Sequence, residues 1–293
     1  MVWASGWRLA SAVSNAGGLG IIGSGSMYPK VLREHIQKCK AATAKPFAVN
    51  LPLLYPDIDK QVSVLLEEKV EIVFTSAGNP KTWTSILKDQ GIKVVHVVSS
   101  SKFALKSEEA GCDAVVAEGF EAGGHNGREE TTSMVLIPAV CQSVSIPVIA
   151  AGGIATGRQM LAAMVMGAEG VQMGSRFVAS EEASSHQHFK QAVINANEGD
   201  TVLTLKQLTP VRLMRNAFFQ QVQQAESRCA SKEELTQLLG RSRAKKGMFE
   251  GNLVEGELEI GQVSAILKDM PPAAFIVENI KKEFLEALAN PIK

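Results

Sequence analysis

Short apolar segments alternate with longer amphipathic segments along residues 7–174. The apolar segments have the length and composition of buried strands. They lie at 19–23, 47–50, 72–77, 94–99, 114–118, 148–152 and 170–174. The amphipathic segments carry apolar residues at helical spacing. They lie at 7–16, 29–40, 58–68, 80–90, 102–110, 132–143 and 157–166. Almost wholly apolar strands separated by helices predict a parallel sheet that is covered on both faces.

The first helical segment, 7–16, has no strand-like segment before it. Doubly wound sheets and closed barrels both alternate strands and helices, but an eight-stranded barrel needs a strand before each helix. We therefore expect a TIM (β/α)8 barrel of the α/β class, whose first strand lies upstream of Met1 and is missing from this chain. The alternative is that the first residues are displaced and the barrel is open or closed by another chain. A sheet with the strand order of a doubly wound fold would contradict this expectation.

After residue 177 the pattern changes to more polar helical segments. These segments lie at 188–197, 210–228 and 232–239. We expect residues 181–250 to form a helical lid that is inserted after the last strand. Residues 1–180 and 251–293 would then make up the barrel.

Two further amphipathic segments follow the expected lid, at 257–268 and 272–289, and the second would be the closing helix of the barrel. A basic run occupies 241–246. Such runs are typical of a solvated face, and the alternative is a surface that binds a phosphorylated partner.

Length and composition fit one large domain with an insertion. The chain has 293 residues, of which 45% are hydrophobic and 20% charged, so it can bury a sizeable core. A single α/β barrel runs to roughly 250 residues before insertions. Thirty basic residues balance 30 acidic ones. No field of one sign therefore attracts nucleic acid or a membrane surface.

The sequence also predicts a cytoplasmic protein without a metal site. No apolar run reaches the roughly 18–20 residues of a membrane span, and the start of the chain lacks the pattern of a signal peptide. The four cysteines are scattered, without the paired spacing of a zinc site, and are too few for a disulfide scaffold. No HExxH motif or cluster of His, Cys and carboxylate residues indicates another metal centre.

Two glycine-rich segments end the last two predicted strands, reading AAGGIA at 150–155 and QMGSRF at 172–177. In barrels, the loops after the seventh and eighth strands commonly bind phosphate, because bare backbone N–H groups point at the anion there. The expected donors are Gly152, Gly153, Gly174 and Ser175. The alternative is that these glycines only relieve crowding, but two signals at neighbouring strand ends favour phosphate binding.

The segment AEGFEAGGHNG at 117–127 is the strongest candidate for the reactive edge of a site. It follows the strand at 114–118 and brings His125 to the catalytic mouth of the expected barrel. Core packing explains an exposed histidine among glycines poorly, and imidazole gives or takes a proton near neutral pH. We therefore predict that His125 is catalytic or contacts the ligand.

Polar residues close other apolar strands at the same edge. Asn50 ends the strand at 47–50, Glu118 ends the strand at 114–118, and Ser76 begins the loop SAGNP. Such donors and acceptors suit the edge of a conjugated heterocycle, although each of them alone would also serve its own loop. Together with the glycine-rich segments they predict a pocket for a phosphorylated, planar ligand.

At these motifs the sequence resembles a known family. The segments VSNAGGLGIIG, PFAVN, AGNP, AEGFEAGGHNG, IPVIAAGGIATG and GAEGVQMGSRF occur in the order found in the nitronate monooxygenase (2-nitropropane dioxygenase) and enoyl-acyl-carrier-protein reductase II family of FMN-dependent barrels. The resemblance continues at 251–256 and 261–262 and so covers nearly the whole chain.

The resemblance implies that FMN is the cofactor and that His125 is the catalytic or substrate-polarising histidine. The positions that match flavin contacts are Asn50, Glu118, Gly123, Gly153, Gln172, Met173, Gly174 and Ser175. The family begins with a short strand whose Gly-Gly-Met-like turn also touches the flavin, and only Met1 of this turn remains here. Met1 is therefore a further expected contact, and FMN binding by this chain stays open.

Two reactions occur within the family that the sequence resembles. The reductase branch passes hydride from NADH or NADPH through FMN to an enoyl thioester on acyl carrier protein, in type II fatty acid synthesis. The monooxygenase branch oxidises small alkyl nitronates with O2 and needs no nicotinamide. AGNP and a glutamate in AEGFEAGGH favour the reductase. The choice of nicotinamide, the acyl chain length, a monovalent cation and a homodimer stay open.

Two interpretations outside these reactions also stay open. One is a sugar-phosphate lyase or isomerase that uses no flavin, and the other is a flavin-binding protein without turnover. A flavin spectrum of the purified protein would exclude the first interpretation, and a colourless protein after flavin addition would favour one of the two.

Overall fold

A curled parallel sheet forms the frame of the molecule. The computed structural model describes residues 3–291. Its strands are β1 (Gly20–Gly23), β2 (Phe47–Pro52), β3 (Ile72–Ser76), β4 (Lys93–Val98), β5 (Ala114–Glu118), β6 (Gly124–His125), β7 (Val148–Ala151), β8 (Gly170–Gln172), β9 (Thr201–Thr204) and β10 (Val211–Met214). Seven of them pair in the order β1-β2-β3-β4-β5-β7-β8. All six pairings are parallel.

This strand order confirms the barrel-like α/β fold, because each strand is added beside the one before it, and a doubly wound sheet would reverse direction. The seven strands curl into a half-barrel whose edges are β1 and β8. Residues 3–6, which precede the first helix, form no strand. The strand expected upstream of Met1 lies outside the described residues.

The helices cover the sheet as the amphipathic segments predict. They are α1 (Trp7–Asn15), α2 (Pro29–Ala42), α3 (Ile58–Glu67), α4 (Thr84–Asp89), α5 (Ser101–Glu109), α6 (Ser133–Cys141), α7 (Gly157–Val165), α8 (Ser175–Val178), α9 (Gln187–Ile194), α10 (Ala217–Ser227), α11 (Lys232–Leu239) and α12 (Ala273–Ala289). Short 3-10 turns occupy Ser24–Ser26, Pro80–Thr82 and Gln262–Ile266, and a π turn occupies Lys245–Phe249.

Alternation along the strands separates two apolar layers. The outer layer packs strand residues such as Ile22 and Leu51 against Leu32 and Leu65 of the helices, all fully buried. The inner layer fills the half-barrel. Its members are Ala48, Phe74, Val95, Ala114, Val116 and Ala151, with Ile21, Ile72, Val97 and Ile149 at its margin. Full burial of one large aliphatic side chain contributes about 1.5–3 kcal/mol, so the two layers hold the strand ends in fixed positions.

Helix α12 closes the fold, as the segment at 272–289 predicts. It packs against α7 and α1. The Gly157 amide donates to Glu283 Oε2 at 2.8 Å, where α7 begins. A methyl group at Gly157 would lie 2.2 Å from the Phe284 backbone nitrogen, so the two helices touch backbone to backbone.

The segment expected to be a helical lid is only partly helical. The helix predicted over 210–228 begins at Ala217, because residues 211–214 form the buried strand β10. Strands β9, β10 and β6 form a second, antiparallel sheet in the order β6-β10-β9. The amphipathic segment at 257–268 forms no α-helix, since this part holds a bridge from Leu213 to Glu259 and a 3-10 turn. The division into barrel and lid remains a prediction.

Candidate functional site

Polar residues at the carboxyl ends of β2, β3 and β5 face the interior of the half-barrel. Asn50, Ser76 and Glu118 each lie two residues beyond a residue of the inner apolar layer, and side chains two apart share a face. Asn50 is 3% exposed. Its Nδ2 donates to Phe74 O at 3.0 Å and to Ser76 Oγ at 3.2 Å. The structure therefore brings Asn50 and Ser76 into direct contact at the mouth.

Glu118 and Gln172 lie in one row across the sheet. Glu118 is aligned with Ala151, and Ala151 is aligned with Gln172. Burial raises the pKa of Glu118 to about 7, so the carboxyl group is partly protonated at neutral pH. A protonated carboxyl both donates and accepts hydrogen bonds, as the amide of Gln172 does. Both groups suit the edge of a planar heterocycle.

A backbone cradle lies at the ends of β7 and β8. Gly152 and Gly153 have φ values of +86° and +73°, which glycine adopts without strain. A methyl group at Gly152 would lie 2.7 Å from Gly119 O. At the end of β8, Gly174 precedes α8, and an added methyl group there meets no atom within 4 Å. The loop after β8 therefore leaves open space beside bare backbone.

The segment at 260–261 contacts both Gly123 and Ser175. A methyl group at Gly123 would lie 2.4 Å from the Ile260 carbonyl carbon. The Gly261 amide donates to Ser175 Oγ at 3.0 Å. Close backbone packing thus accounts for glycine at position 123, in addition to any ligand. Met173, two residues before Ser175, is half-buried against the cluster around Ile154 and Ala168. Met1 lies outside the described residues.

His125 stands on the second sheet, away from the strands that carry the other site residues. It is exposed, and its backbone is aligned with Val211 of β10. The next residue, Asn126, donates its amide to Pro210 O at 2.9 Å. Asn126 Nδ2 also donates to Ala122 O at 2.9 Å and to Gly124 O at 3.0 Å. The loop that carries the histidine is therefore ordered by its own hydrogen bonds and by β10.

Residues 119–127, which we call the histidine loop, are tied to the cradle by a pair that sequence reasoning missed. The Ser133 amide and hydroxyl donate to Glu121 Oε2, each at 3.0 Å. The same hydroxyl lies 2.8 Å from Gly152 O. Ser133 begins α6, and a serine at the start of a helix can be recognised in the sequence. The sequence does not show that its hydrogen-bond partner is Glu121.

Arg212 is a second residue that sequence reasoning missed. It is 1% exposed and lies on β10. The sequence did contain one signal for Arg212, namely a single charged residue in the otherwise apolar segment VRLM. Its guanidinium group contacts the histidine loop at Phe120.

Two carboxylates, Glu257 and Glu259, follow the expected lid, and Glu259 contacts the histidine loop. A methyl group at Gly124 would lie 2.6 Å from Glu259 Oε2, so Glu259 packs against the residue that precedes His125. Glu257 is 8% exposed. Burial, and then repulsion from Glu259, raise its pKa to about 8, while Arg243 acts in the opposite direction.

The titration of Glu257 predicts how stability depends on pH. Its folded-state pKa lies above the ordinary value, so the native state binds the proton more tightly and loses stability as pH rises through about 8. We expect the free energy of unfolding to fall between about pH 5 and pH 8. In Glu257→Gln the fall should be smaller by at least about 1 kcal/mol, measured by urea unfolding across this range. The exposed Glu129→Gln is the control, and equal slopes in all three proteins would contradict the prediction.

The basic run at 241–246 is less available to a binding partner than the sequence indicates. Arg243 Nη1 donates to Glu255 O at 2.9 Å, and its guanidinium lies 4.7 Å from the centre of the Phe218 ring. Lys245 pairs with Glu250 at 3.0 Å. Because these two charges are used within the chain, a partner surface here would rest on Arg241 and Lys246.

Within residues 3–291, no helix is long and apolar enough to cross a bilayer. The same residues contain no group of three His, Cys, Asp or Glu side chains placed to hold a metal ion.

The mouth as a whole fits a phosphorylated heterocycle. Amide and carboxyl groups line the interior at Asn50, Glu118 and Gln172, and glycine backbone with open space follows β7 and β8. Such a set provides ring-edge partners at one place and phosphate donors at another.

Comparison with known proteins identifies the family. A family model described as nitronate monooxygenase matches residues 1–59 and 55–283. The chain belongs to the nitronate monooxygenase family. The family match confirms the resemblance read from the motifs, and it makes this protein an FMN-dependent oxidoreductase. A sugar-phosphate lyase or isomerase is no longer supported.

Individual members of the nitronate monooxygenase family differ in activity. The solved structure of FabK from Thermotoga maritima is 44% identical, with a TM-score of 0.94, over 99% of this chain and 92% of that one. A probable nitronate monooxygenase of Staphylococcus saprophyticus is 33% identical over 96% of this chain and 92% of that one. The (3aS,4S,5R,7aS)-5-hydroxy-7a-methyl-1-oxo-octahydro-1H-indene-4-carboxyl-CoA dehydrogenase of Mycobacterium tuberculosis is 32% identical over 96% and 90%.

Proposed function

We propose that this protein is an NADH- or NADPH-dependent enoyl-thioester reductase that acts in type II fatty acid synthesis. The similarity to FabK, an enoyl-acyl-carrier-protein reductase II, carries the proposal, because its identity of 44% exceeds the 33% of the staphylococcal probable nitronate monooxygenase. The mycobacterial relative is named for a carboxyl-CoA substrate, which also favours a thioester.

The mouth of the half-barrel would hold the cofactor. Asn50, supported by Ser76, would bind the ring edge together with Glu118 and Gln172. The phosphate would lie against backbone at the strand ends. The residues concerned are Gly152, Gly153, Gly174 and Ser175. Gly123 and Met173 would line the flavin between these two parts. Bound FMN supplies the hydride chemistry that amino-acid side chains lack.

His125 would act on the substrate. Hydride addition to the β-carbon of an enoyl thioester places negative charge on the α-carbon and the thioester oxygen. An imidazole that donates a proton or a hydrogen bond there stabilises this charge. His125 is exposed, so a substrate would have access to its imidazole.

The partner and the assembly are part of the proposal. The thioester would be carried by acyl carrier protein, an acidic partner that Arg241 and Lys246 would face. Light scattering of the holoprotein tests the homodimer, and assays in sodium, potassium and bulky organic cations test the monovalent cation. A cytoplasmic location is expected for an enzyme of this pathway.

Anaerobic half-reactions test the proposed function. We expect NADH or NADPH to bleach the flavin absorbance, and crotonyl thioester then to restore it faster than the thioester-free control by at least about 100-fold. Stopped-flow absorbance of the purified yellow protein measures both steps. A flavin that no nicotinamide reduces would contradict the proposal.

Nitronate oxidation is the second candidate, favoured by the family model and by the staphylococcal relative. In this case an alkyl nitronate would reduce the flavin without any nicotinamide, and O2 would reoxidise it. A yellow protein that reacts with neither substrate would instead be a flavin-binding protein without turnover.

A further inference from the structure

A buried arginine of the second sheet reaches the base of the histidine loop. Arg212 Nε and Nη2 donate to Phe120 O at 3.2 and 2.9 Å. The guanidinium carbon lies 4.5 Å from the centre of the Phe120 ring. One side chain therefore holds both the carbonyl and the ring of Phe120, which stands two residues beyond Glu118. The two donors form a fork that lysine lacks.

The backbone of Arg212 holds the other end of the same loop. It is aligned with Gly124 in the antiparallel ladder, and Val211 is aligned with His125. Arg212 thus contacts Phe120 with its side chain and Gly124 with its main chain. These two contacts hold both ends of the five-residue segment 120–124. They therefore fix the position of the residue directly before His125.

The free-energy cost of burying the charge of Arg212 indicates that this side chain does more than fill space in the core. Burying a charge is expensive unless it is well paired, and an apolar side chain packs a core at lower cost. Arg212 is 1% exposed, and burial lowers its pKa, while Glu121 and Glu130 oppose this effect. Its direct partners are the Phe120 carbonyl and, at 3.5 Å, Thr201 O and Oγ1. A cation that bonds to carbonyl groups fixes backbone, which is what a histidine loop with only a two-residue strand requires.

We propose that Arg212 is a positioning residue that holds the histidine loop so that His125 meets the substrate. The proposal rests on the role given to His125 in the proposed function. It predicts that a change at Arg212 acts through His125, and that binding and reduction of the flavin are independent of it.

A double-mutant cycle tests this coupling in the FMN holoenzyme. We expect Arg212→Lys to slow reoxidation of the reduced flavin by crotonyl thioester at least about 10-fold, because small displacements of a catalytic group have effects of this order. In a His125→Ala background the same change should have an effect of less than about 2-fold, since the group it positions is gone. Flavin reduction by the nicotinamide should be unchanged.

Arg215→Lys is the matched control. Arg215 lies three residues further along, donates Nε to Gly199 O at 3.0 Å and has its guanidinium 5.8 Å from the Phe219 ring. It makes the same kinds of contact without touching the histidine loop. We expect Arg215→Lys to leave both half-reactions unchanged within about 2-fold.

A readout that does not depend on turnover accompanies the kinetics. The chain has five histidines, and the imidazole signals of His125 are assigned by their loss in His125→Ala. We expect these signals to shift or broaden in Arg212→Lys, to be unchanged in Arg215→Lys, and the other four histidines to keep their shifts.

The outcomes separate the two hypotheses. Equal losses in the wild-type and His125→Ala backgrounds, or unchanged His125 signals in Arg212→Lys, would overturn the role of Arg212. A wild-type flavin that crotonyl thioester does not reoxidise would overturn the proposed function instead. The cycle is then run with an alkyl nitronate, and the imidazole signals report on Arg212 whichever substrate reacts.

Discussion

Replacement of His125 by alanine is expected to slow reoxidation of the reduced flavin by an enoyl thioester about 100- to 10,000-fold, the usual contribution of a general acid. The imidazole is exposed on β6, so its removal leaves the buried core unchanged. FMN should stay bound, because most of the groups expected to hold it lie on the main sheet or in the loops after β7 and β8. Stopped-flow kinetics and the flavin spectrum measure the two quantities separately.

His188→Ala is the control for this prediction. His188 is exposed on α9, which is not one of the strands or loops that form the mouth, and its ring centre lies 4.6 Å from that of His186. Its replacement should leave both half-reactions unchanged. Turnover of His125→Ala that equals the wild-type rate would remove His125 from the mechanism, and loss of FMN from this variant would give it a binding role instead.

Replacement of Gly152 by alanine is expected to destabilise the fold and to abolish FMN binding together. The φ value of +86° strains an alanine, and its methyl group would lie 2.7 Å from Gly119 O. Left-handed strain and overpacking together cost about 2–5 kcal/mol. Because Gly119 opens the histidine loop, relief of this clash would move the cradle and the loop apart. Thermal unfolding and flavin titration measure the two effects.

Gly174→Ala tests phosphate binding by the cradle separately from the stability of the fold. Its φ is −101°, and an added methyl group meets no atom within 4 Å, so stability should change by less than about 0.5 kcal/mol. The methyl group would occupy the space proposed for the phosphate, and we expect FMN affinity to fall at least about 10-fold, a loss of about 1.4 kcal/mol. Gly170→Ala, at the other end of β8 with no neighbour within 4 Å, is the control. Unchanged affinity in Gly174→Ala would place the phosphate elsewhere.

The cradle and the histidine loop are joined by hydrogen bonds, although separate functions are proposed for them. Ser133 donates to Glu121 on the loop and lies 2.8 Å from Gly152 O. Gln262 donates its amide to Glu121 O at 2.9 Å, and the next residue back, Gly261, donates to Ser175. A ligand that orders the phosphate side would therefore also steady the loop that carries His125.

The main sheet and the positions at its mouth were predictable from the sequence. Each buried strand is a short apolar run, and each run is bounded by turn residues, so local composition contains the signal. Parallel strands separated by helices all present their carboxyl ends at one edge. Polar residues that end such runs, Asn50 and Glu118 among them, must therefore meet at that edge, whatever the details of packing.

The second sheet was not predictable by the same means. Its first strand is only two residues long, Gly124–His125, and β10 was expected to be helical. A strand this short has no periodicity of its own and exists because β10 supplies its hydrogen-bond partners. The contact of Arg212 with Phe120 joins residues 92 positions apart. Local sequence patterns contain no information about contacts of this range.

The sequence by itself determined the α/β sheet, and it predicted the glycine-rich strand ends and His125 as the candidate reactive residue. The tertiary structure alone decided how that residue is held. The histidine loop has neither apolar periodicity nor helix signals, so its conformation depends on groups that other segments bring to it, namely Ser133, Arg212 and the chain at Ile260. Hydrogen bonds and close contacts of this kind form only once the segments are brought together, because each end alone is satisfied by water.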